Sequence, residues 1–275
     1  MRSFFKSLIP PIVARLYNNK TTHTHSQRSY RTYAEALKDC PKEGYEAAEI
    51  VTVVVEKNRI FRRLIEDKPT FDLNAIRTLV GIGLAKSHGM MRVIDFGGGG
   101  GYHYTIAQAA LGNDVDLRWN VVETTAMTAA AQKNSSAKLR FFDNIEDARE
   151  DLGETDFVFT SGTLHCCPDP LENLKELLKV NAKYVFITRT SFNDLDGQIA
   201  NVQRSMLSDN GPGPLPAAFK NRPVYYPNVF VSKKTVEQLL SHNYEIRFAT
   251  VEDKDAYEVG GKKIHMYGYF CVRKA

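Results

Sequence analysis

Cysteine is scarce in this 275-residue chain, and its spacing excludes several kinds of site. The four cysteines contain no C-x-x-C pair, and Cys166 and Cys167 are adjacent. Adjacent thiols cannot easily chelate one tetrahedral ion, so we predict no metal site, no disulfide framework and a reducing compartment.

No apolar run reaches the roughly 20 residues of a membrane-spanning helix. The basic residues, which give a net charge of +4, are scattered, so no nucleic-acid partner is expected.

The composition is that of an ordinary globular protein, with 43% hydrophobic and 25% charged residues. We therefore predict a cytoplasmic protein with one main domain.

Residues 1–17 carry apolar side chains at helical spacing between basic ones, interrupted by Pro10 and Pro11. We favour an arm that packs on its own domain or on the second subunit of a homodimer. A peripheral helix at the inner face of the membrane is the alternative, and a signal peptide fits less well.

Three segments are predicted along the chain. Residues 1–30 form the arm and a polar linker, residues 31–88 a helical cap, and residues 89–275 the main domain, with an insertion at about 191–228. The cap is expected to contain helices at 33–39, 45–66 and 73–87. The run "IVTVVV" in the second of these helices is β-branched, so a strand there is the alternative.

After Gly89, short apolar strands alternate with helices, which predicts a parallel sheet covered on both faces. Cofactor sites in such sheets lie at the carboxyl ends of the strands. The tail adds a Pro- and Gly-rich loop at 208–228, long enough for a functional lid. The predicted strands are 91–95, 117–123, 138–142, 156–160, 183–189, 244–251 and 264–273, and the predicted helices are 102–111, 124–134, 170–180 and 232–241.

Five successive glycines follow the first of these strands, in "VIDFGGGGGYHY". A strand, a glycine loop and a helix together bring the backbone close to a bound nucleotide. The dinucleotide fingerprint G-x-G-x-x-G fails, because the third glycine would fall on Tyr102 or His103. The pattern D-x-G-x-G-x-G is met by Asp95, Gly97, Gly99 and Gly101.

This frame resembles motif I of the class I S-adenosylmethionine-dependent methyltransferases. The resemblance implies a Rossmann-like seven-stranded sheet, mostly parallel with an antiparallel last strand, and S-adenosylmethionine as the cofactor. Asp95 would accept hydrogen bonds from an ammonium group or from bound water, and Tyr102 would contact the carboxylate end of the donor.

Two acidic residues extend the resemblance. Glu123 ends the second predicted strand, where a carboxylate can accept hydrogen bonds from both ribose hydroxyls, although such an acid also serves NAD enzymes. Asp143 follows the third strand in "LRFFDN", at the position that contacts the adenine amino group in many of these enzymes. The alternative for Asp143 is a cap of the next helix.

The segment "DFVFTSGTLHCCPDPLENLKELL" is similar to the family's L-H-H-L-P-D-P segment, with Cys166 and Cys167 in place of His and Leu. The resemblance places Ser161 and His165 beside the transferable methyl group, with Ser161 as a cofactor contact. His165 is the candidate general base for a hydroxyl acceptor. The alternative is that its ring only shapes the pocket.

Three residues are candidates for acceptor binding. Arg189 follows the fifth strand and could hold a phosphate or carboxylate, or it could instead pair with Asp194 or Asp196. Tyr225 and Tyr226 end the Pro-rich loop and could close over the acceptor or serve as core anchors.

A narrower likeness rests on "YAEALKDCPKEGYEA", "YVFITRTSFND" and "VQR", which look like a little-studied methyltransferase group found with bacterial surface-polysaccharide biosynthesis proteins. It implies a sugar- or nucleotide-linked acceptor. We therefore predict methyl transfer to a small molecule, on a hydroxyl or phosphate-type oxygen. A catalytically silent methyltransferase-like scaffold is the first alternative. An NAD(P)-dependent oxidoreductase or epimerase is disfavoured, because G-x-G-x-x-G and a Tyr-x-x-x-Lys pair are missing.

Overall fold

The computed structural model describes residues 24–25, 28–41, 44–86, 89–112 and 114–275. The predicted arm at residues 1–17 lies outside the described residues, so its contacts with a membrane or a second subunit stay predictions. None of the helices in the described ranges is long and apolar enough to cross a membrane.

Helices and strands alternate through most of the described chain. The helices are α1 (Tyr33–Leu37), α2 (Ala48–Asp67), α3 (Leu73–Ala85), α4 (Tyr102–Leu111), α5 (Thr125–Ala131), α6 (Ile145–Leu152), α7 (Pro170–Lys179) and α8 (Lys233–Asn243). The strands are β1 (Thr24–His25), β2 (Gly89–Phe96), β3 (Val115–Val122), β4 (Leu139–Phe142), β5 (Phe157–Ser161), β6 (Tyr184–Asn193), β7 (Gln198–Met206), β8 (Pro223–Val231), β9 (Tyr244–Val251), β10 (Tyr257–Val259) and β11 (Lys262–Arg273). Single 3-10 turns occur at Gly44–Glu46, Gln132–Asn134, Leu164–Cys166 and Leu207–Asp209.

The main sheet has the strand order β4-β3-β2-β5-β6-β11-β9, and β10 pairs with the start of β11. The five strands from β4 to β6 are mutually parallel, whereas β11 runs antiparallel to both of its long neighbours. This arrangement confirms the predicted fold class, a Rossmann-like α/β sheet with an antiparallel last strand. Val93 and Ile94 are both fully buried, as expected for a parallel strand covered on both faces.

The helices of residues 44–86 share a core with this sheet. Gly81 of α3 lies so close to Phe186 on β6 that an added Cβ would overlap the ring. The run "IVTVVV" is helical, so the alternative of a strand there is wrong. Its β-branched residues cost a few tenths of a kcal/mol each in helix propensity, and burial of Val51, Val54 and Val55 in the common core outweighs that cost.

A second sheet, in the order β1-β7-β8, occupies most of the predicted insertion. The sequence pattern predicts no strand at 198–206 and a loop as far as residue 228, whereas β7 covers the first of these ranges and β8 begins at Pro223. Polar residues hid the strand pattern, because Asn201, Gln203 and Ser205 are buried on β7. The short strand β1 also lies in the predicted linker and pairs with β7. Helix α6 was missed as well.

Candidate functional site

The predicted site residues gather at the carboxyl ends of the parallel strands. The glycine loop at 97–101 follows β2, Glu123 follows β3 and Asp143 follows β4. Ser161 ends β5. Arg189 is predicted to follow the fifth strand but lies within β6, directly after Thr188, the last residue that pairs with β5. The strand order therefore brings together residues that are nearly 100 positions apart in sequence.

The glycine loop contains three left-handed residues. The φ angles of Gly97, Gly99 and Gly101 are 81°, 57° and 96°. These are the three glycines of the D-x-G-x-G-x-G frame, and a side chain at any of them would strain the backbone. Gly101 is also the residue before α4, so the loop ends at a helix N-terminus, where the amides of Gly101 and Tyr102 donate to the Gly98 carbonyl at 3.1 and 3.4 Å.

The two remaining glycines are required for a different reason, which is the lack of room for a side chain. Gly98 lies directly over Asp95, and an added Cβ would overlap the carboxylate. At Gly100 an added Cβ would lie 2.9 Å from Cβ of Asn58 on α2. Close packing on both sides therefore excludes side chains at the two positions that the motif leaves variable.

Asp95 is completely buried beneath the loop. Its Oδ2 accepts a 3.0 Å hydrogen bond from Nε1 of Trp119, and both of its oxygens lie 3.0 Å from Nδ1 of His103. The predicted contact of this carboxylate with a ligand ammonium group or with bound water stays a prediction, and the partners that it has within the protein are the indole and the imidazole. Asp95 thereby joins β2, β3 and α4 under the loop. The sequence analysis missed both partners, although a buried carboxylate requires such donors.

Glu123 is half-buried and faces the loop. Its Oε1 accepts a 2.9 Å hydrogen bond from the Gly99 amide, and its Oε2 accepts one of 3.2 Å from the Thr124 amide. Burial raises the pKa of this carboxyl to about 7, although the two amide donors oppose the shift. A carboxylate has about four acceptor positions, so Glu123 can still accept further hydrogen bonds.

Asp143 is exposed at the rim of a cleft of about 570 Å³. The hydroxyl of Thr125 lies 3.4 Å from its Oδ2, which connects Asp143 to the turn after Glu123. The alternative role of Asp143 as a helix cap is wrong, because Asn144 caps α6 by accepting from the Asp147 amide at 2.8 Å. The cleft is lined by Phe96, Val122, Asp143, Asn144, Ile145, Glu146, Arg149, Asn173, Glu176, Lys179 and Val180.

The turn after β5 touches the glycine loop. Ser161 is half-buried at the strand end, and Oγ1 of Thr163 lies 3.4 Å from its carbonyl oxygen and 3.5 Å from that of Gly97. Thr163 therefore bridges the two loops, a role that the sequence analysis did not assign. An added Cβ at Gly97 would overlap the Thr163 side chain.

His165 lies in the 3-10 turn Leu164–Cys166, and its ring stacks on Phe230 with centroids 6.3 Å apart. Its Nδ1 accepts a 3.4 Å hydrogen bond from the Ser191 amide. An amide can only donate, so in the neutral ring the proton lies on Nε2. The role of His165 as a general base stays a prediction: Nδ1 is occupied in this arrangement, and only the tautomer without a proton on Nε2 could accept one from a hydroxyl.

Arg189 has a φ angle of 53°, in the left-handed region. Its amide donates a 2.7 Å hydrogen bond to Oε2 of Glu252. The alternative ion pair with Asp194 or Asp196 does not form; Asp194 accepts instead from the Lys263 amide at 3.2 Å.

The two tyrosines of the predicted lid belong to strand β8. Successive side chains of a strand point to opposite faces, so the two rings cannot close over the same ligand. Tyr226 is buried against Tyr45, with ring centroids 5.3 Å apart, and its hydroxyl accepts a 3.2 Å hydrogen bond from Gln203. Tyr225 packs in the core cluster on the other side.

Tyr102, the first residue of α4, points towards α2 and α3. Its ring packs on Phe61 with centroids 5.1 Å apart, and its hydroxyl lies 3.5 Å from Oδ1 of Asp72. Burial raises the pKa of this phenol.

Comparison with known proteins finds similarity only among solved structures. No protein-family model and no curated protein matches the chain. An S-adenosylmethionine-dependent methyltransferase from Clostridium acetobutylicum is 11% identical, with a TM-score of 0.44 over 79% of this chain and 97% of that one. An amino pentose methyltransferase from Micromonospora echinaspora, solved with S-adenosylmethionine, is 11% identical, with a TM-score of 0.42 over 78% and 97%. A 1,6-didemethyltoxoflavin-N1-methyltransferase from Burkholderia thailandensis, solved with S-adenosylhomocysteine, is 14% identical, with a TM-score of 0.41 over 83% and 89%.

Proposed function

We propose that this chain is an S-adenosylmethionine-dependent methyltransferase that acts on a small molecule. The observation that carries the proposal is the position of Glu123 against Gly99. A half-buried carboxylate after one parallel strand faces a left-handed glycine loop after its neighbour. This pairing suits a nucleoside whose ribose hydroxyls bind the acid and whose remaining part lies along the backbone.

The residues of the site fit this donor in three places. Glu123 would accept from the ribose hydroxyls, the backbone of 97–101 would lie along the methionine part, and Asp143 with the adjoining cleft would receive the adenine. Ser161 lies at the end of β5, within reach of the same loops through Thr163. The buried Asp95 and the nearby Glu123 make the loop a poor cradle for a pyrophosphate, which argues against an NAD(P) enzyme.

When bound, the donor supplies a methyl carbon already activated by a sulfonium. The chain therefore has to position the acceptor and exclude water. The acceptor atom that we propose is a hydroxyl or phosphate-type oxygen of a sugar or surface-glycan precursor. Its support is the narrower sequence likeness carried by residues 33–47, 184–194 and 202–204. A phosphate-type oxygen is already ionised and needs no base. Transfer to a hydroxyl releases a proton, which His165 would take in the tautomer whose Nε2 carries no proton.

Donor binding is tested by calorimetric titration with S-adenosylhomocysteine. We expect the wild type to bind and Gly99→Arg to lose at least 100-fold in affinity, because the side chain would fill the loop. Gly83→Arg is the matched control, since nothing lies within 4 Å of an added Cβ there. Full binding by Gly99→Arg, or tighter binding of NADH than of S-adenosylhomocysteine, would contradict the proposal.

Transfer itself is tested with labelled S-adenosylmethionine and a panel of sugars, nucleotide sugars and phosphorylated sugars. Methylation of at least one acceptor class is the expected result. Donor binding without transfer across the whole panel would favour a catalytically silent scaffold.

A further inference from the structure

Arg189 is a half-buried cation without a carboxylate partner among the described residues. Its backbone amide is bound to Glu252, but the charge of Glu252 is met by Arg77, whose Nε lies 3.5 Å from Oε2. A guanidinium that is partly removed from water normally pairs with an anion. The missing partner indicates a place for an anionic ligand.

The guanidinium packs against Gly162. Its Cζ, Nη1 and Nη2 atoms lie 3.6, 3.8 and 3.7 Å from the position that a Cβ would take on Gly162, so the planar group lies face-on over this glycine. The Gly162 amide donates a 3.0 Å hydrogen bond to the Thr188 carbonyl, which ties the two strand ends together. Both Gly162 and Arg189 are left-handed. For an arginine this conformation costs about 1–3 kcal/mol, and such strain clusters at functional sites.

Arg189 lies among tyrosine and cysteine side chains that burial keeps neutral, and the carboxyl of Glu123 acts on two of the same groups, Tyr45 and Cys166. The charge of Arg189 acts on Tyr45, Cys166 and Tyr226, and burial raises the pKa of all three, that of Cys166 to about 12. These groups come from the turn Gly44–Glu46, the turn Leu164–Cys166 and strand β8. None of these elements contains a residue that is proposed to bind S-adenosylmethionine. The charge also acts on Tyr102, which lies next to the glycine loop, so the donor must be tested as a rival occupant.

We propose that Arg189 binds an oxyanion, a phosphate or a carboxylate, carried by the methyl acceptor. The planar fork of a guanidinium matches such a group with two parallel hydrogen bonds. The uncharged side chains of Tyr45 and Tyr226 would line the site beside the anion. This inference rests on the proposed methyltransferase function for the identity of the ligand, but the anion site itself does not depend on it.

The test is thermal unfolding with inorganic phosphate, at an ionic strength kept constant with chloride. At ten times the dissociation constant, we expect phosphate to raise the Tm of the wild type by about 2–5 °C. Arg189→Gln should abolish the rise. Arg247→Gln should keep it, because Arg247 is an exposed arginine on β9 that pairs with Glu245. A full phosphate response in Arg189→Gln would overturn the proposal.

Arg189→Gly separates anion binding from folding. Glycine adopts the left-handed conformation without strain, so this variant should unfold no earlier than Arg189→Gln and should also lose the phosphate response. A phosphate response that persists in Arg189→Gly would place the anion elsewhere and overturn the proposal.

The rival occupant is tested by repeating the titration with saturating S-adenosylhomocysteine. An undiminished phosphate response supports an acceptor subsite. Loss of the response would show that Arg189 holds the carboxylate of the donor, and this would overturn the proposal. If S-adenosylhomocysteine does not bind at all while phosphate still acts through Arg189, the donor site fails and the anion site stands.

Discussion

The backbone amide of Gly99 donates a 2.9 Å hydrogen bond to Oε1 of Glu123. This bond joins the glycine loop after β2 to the acid after β3, the two features on which the proposed donor site depends. One oxygen of Glu123 thereby orients the loop, and the carboxylate keeps acceptor capacity for a ligand. The ionisation of this one carboxyl should therefore control donor affinity.

The affinity for S-adenosylhomocysteine should rise with pH. The pKa of Glu123 is raised to about 7, so the ionised fraction grows from about a tenth at pH 6 to about nine tenths at pH 8. If the carboxylate is the form that accepts from the ribose hydroxyls, affinity increases up to about tenfold over this range. Calorimetric titration at pH 6, 7 and 8 measures it.

Glu123→Gln should flatten this pH profile and weaken binding about tenfold at pH 8, because a charge-assisted acceptor is lost. Glu245→Gln, at an exposed position on β9 outside the cleft, should leave the profile unchanged. The same pH slope in Glu123→Gln as in the wild type would assign the titration to another group.

Gly98→Ala should destabilise the protein by about 1–3 kcal/mol in chemical denaturation, because the added Cβ overlaps the buried Asp95 carboxylate. Gly83→Ala is the control. Gly83 lies within α3 with open space around it, so alanine there should stabilise by about 0.5–1 kcal/mol. Equal changes in the free energy of unfolding for the two substitutions would show that the glycine loop can accommodate a Cβ at Gly98 without destabilising the protein.

Asp95→Asn should lower the free energy of unfolding by about 2–4 kcal/mol. The new amide group would turn a donor towards Trp119 or His103, which both lie within 3.0 Å of the carboxylate. Trp119 is the only tryptophan of the chain, so its fluorescence reports the same contact. Asp143→Asn, at an exposed position, should change stability by less than about 0.5 kcal/mol.

Lys57 should make stability depend on pH in the alkaline range. Its side chain is buried, its Nζ donates to the Ser208 carbonyl, and burial lowers its pKa to about 8, against the effect of Asp209. A lowered folded pKa gives stability that is present above the unfolded pKa of about 10.5 and is lost as pH falls through about 8. Between pH 9 and pH 7 this loss is about 1 kcal/mol.

Lys57→Met should remove this pH dependence of stability. The measurement is the difference in the free energy of unfolding between pH 9 and pH 7. Lys68→Met, after the exposed end of α2, should retain the pH dependence. A wild type whose stability does not fall over this range would show that Lys57 stays charged in the folded protein.

The sequence predicted much of the parallel half of the fold. Strand β5, and β2 apart from Arg92 and Asp95, are apolar runs because both faces are covered, and such runs stand out from the helical periodicity between them. The hairpin of β7 and β8 did not stand out. Its buried positions carry amides and hydroxyls that bond to one another, including Asn228 with Gln203, and this pattern resembles a polar loop.

Local chemistry explains which site residues could be found in advance. The frame of Asp95 with three alternate glycines is a local requirement, since left-handed φ angles are needed at those positions, and so the sequence alone determined the loop and, with it, the position of Glu123. The roles of Asp95 and His165 depend on partners that come from distant parts of the chain. Trp119 is 24 residues from Asp95, and Ser191 is 26 residues from His165.

The sequence by itself thus determined the sheet, the glycine loop and the acid beside it, because each depends on the side chains of one strand or one turn. The tertiary structure decided what those side chains face. It closed Asp95 under Gly98, occupied Nδ1 of His165, and separated Tyr225 from Tyr226. It also held Arg189 over Gly162 with no carboxylate partner in the part of the chain that the structure describes, since only packing determines which groups meet once the strands are placed side by side.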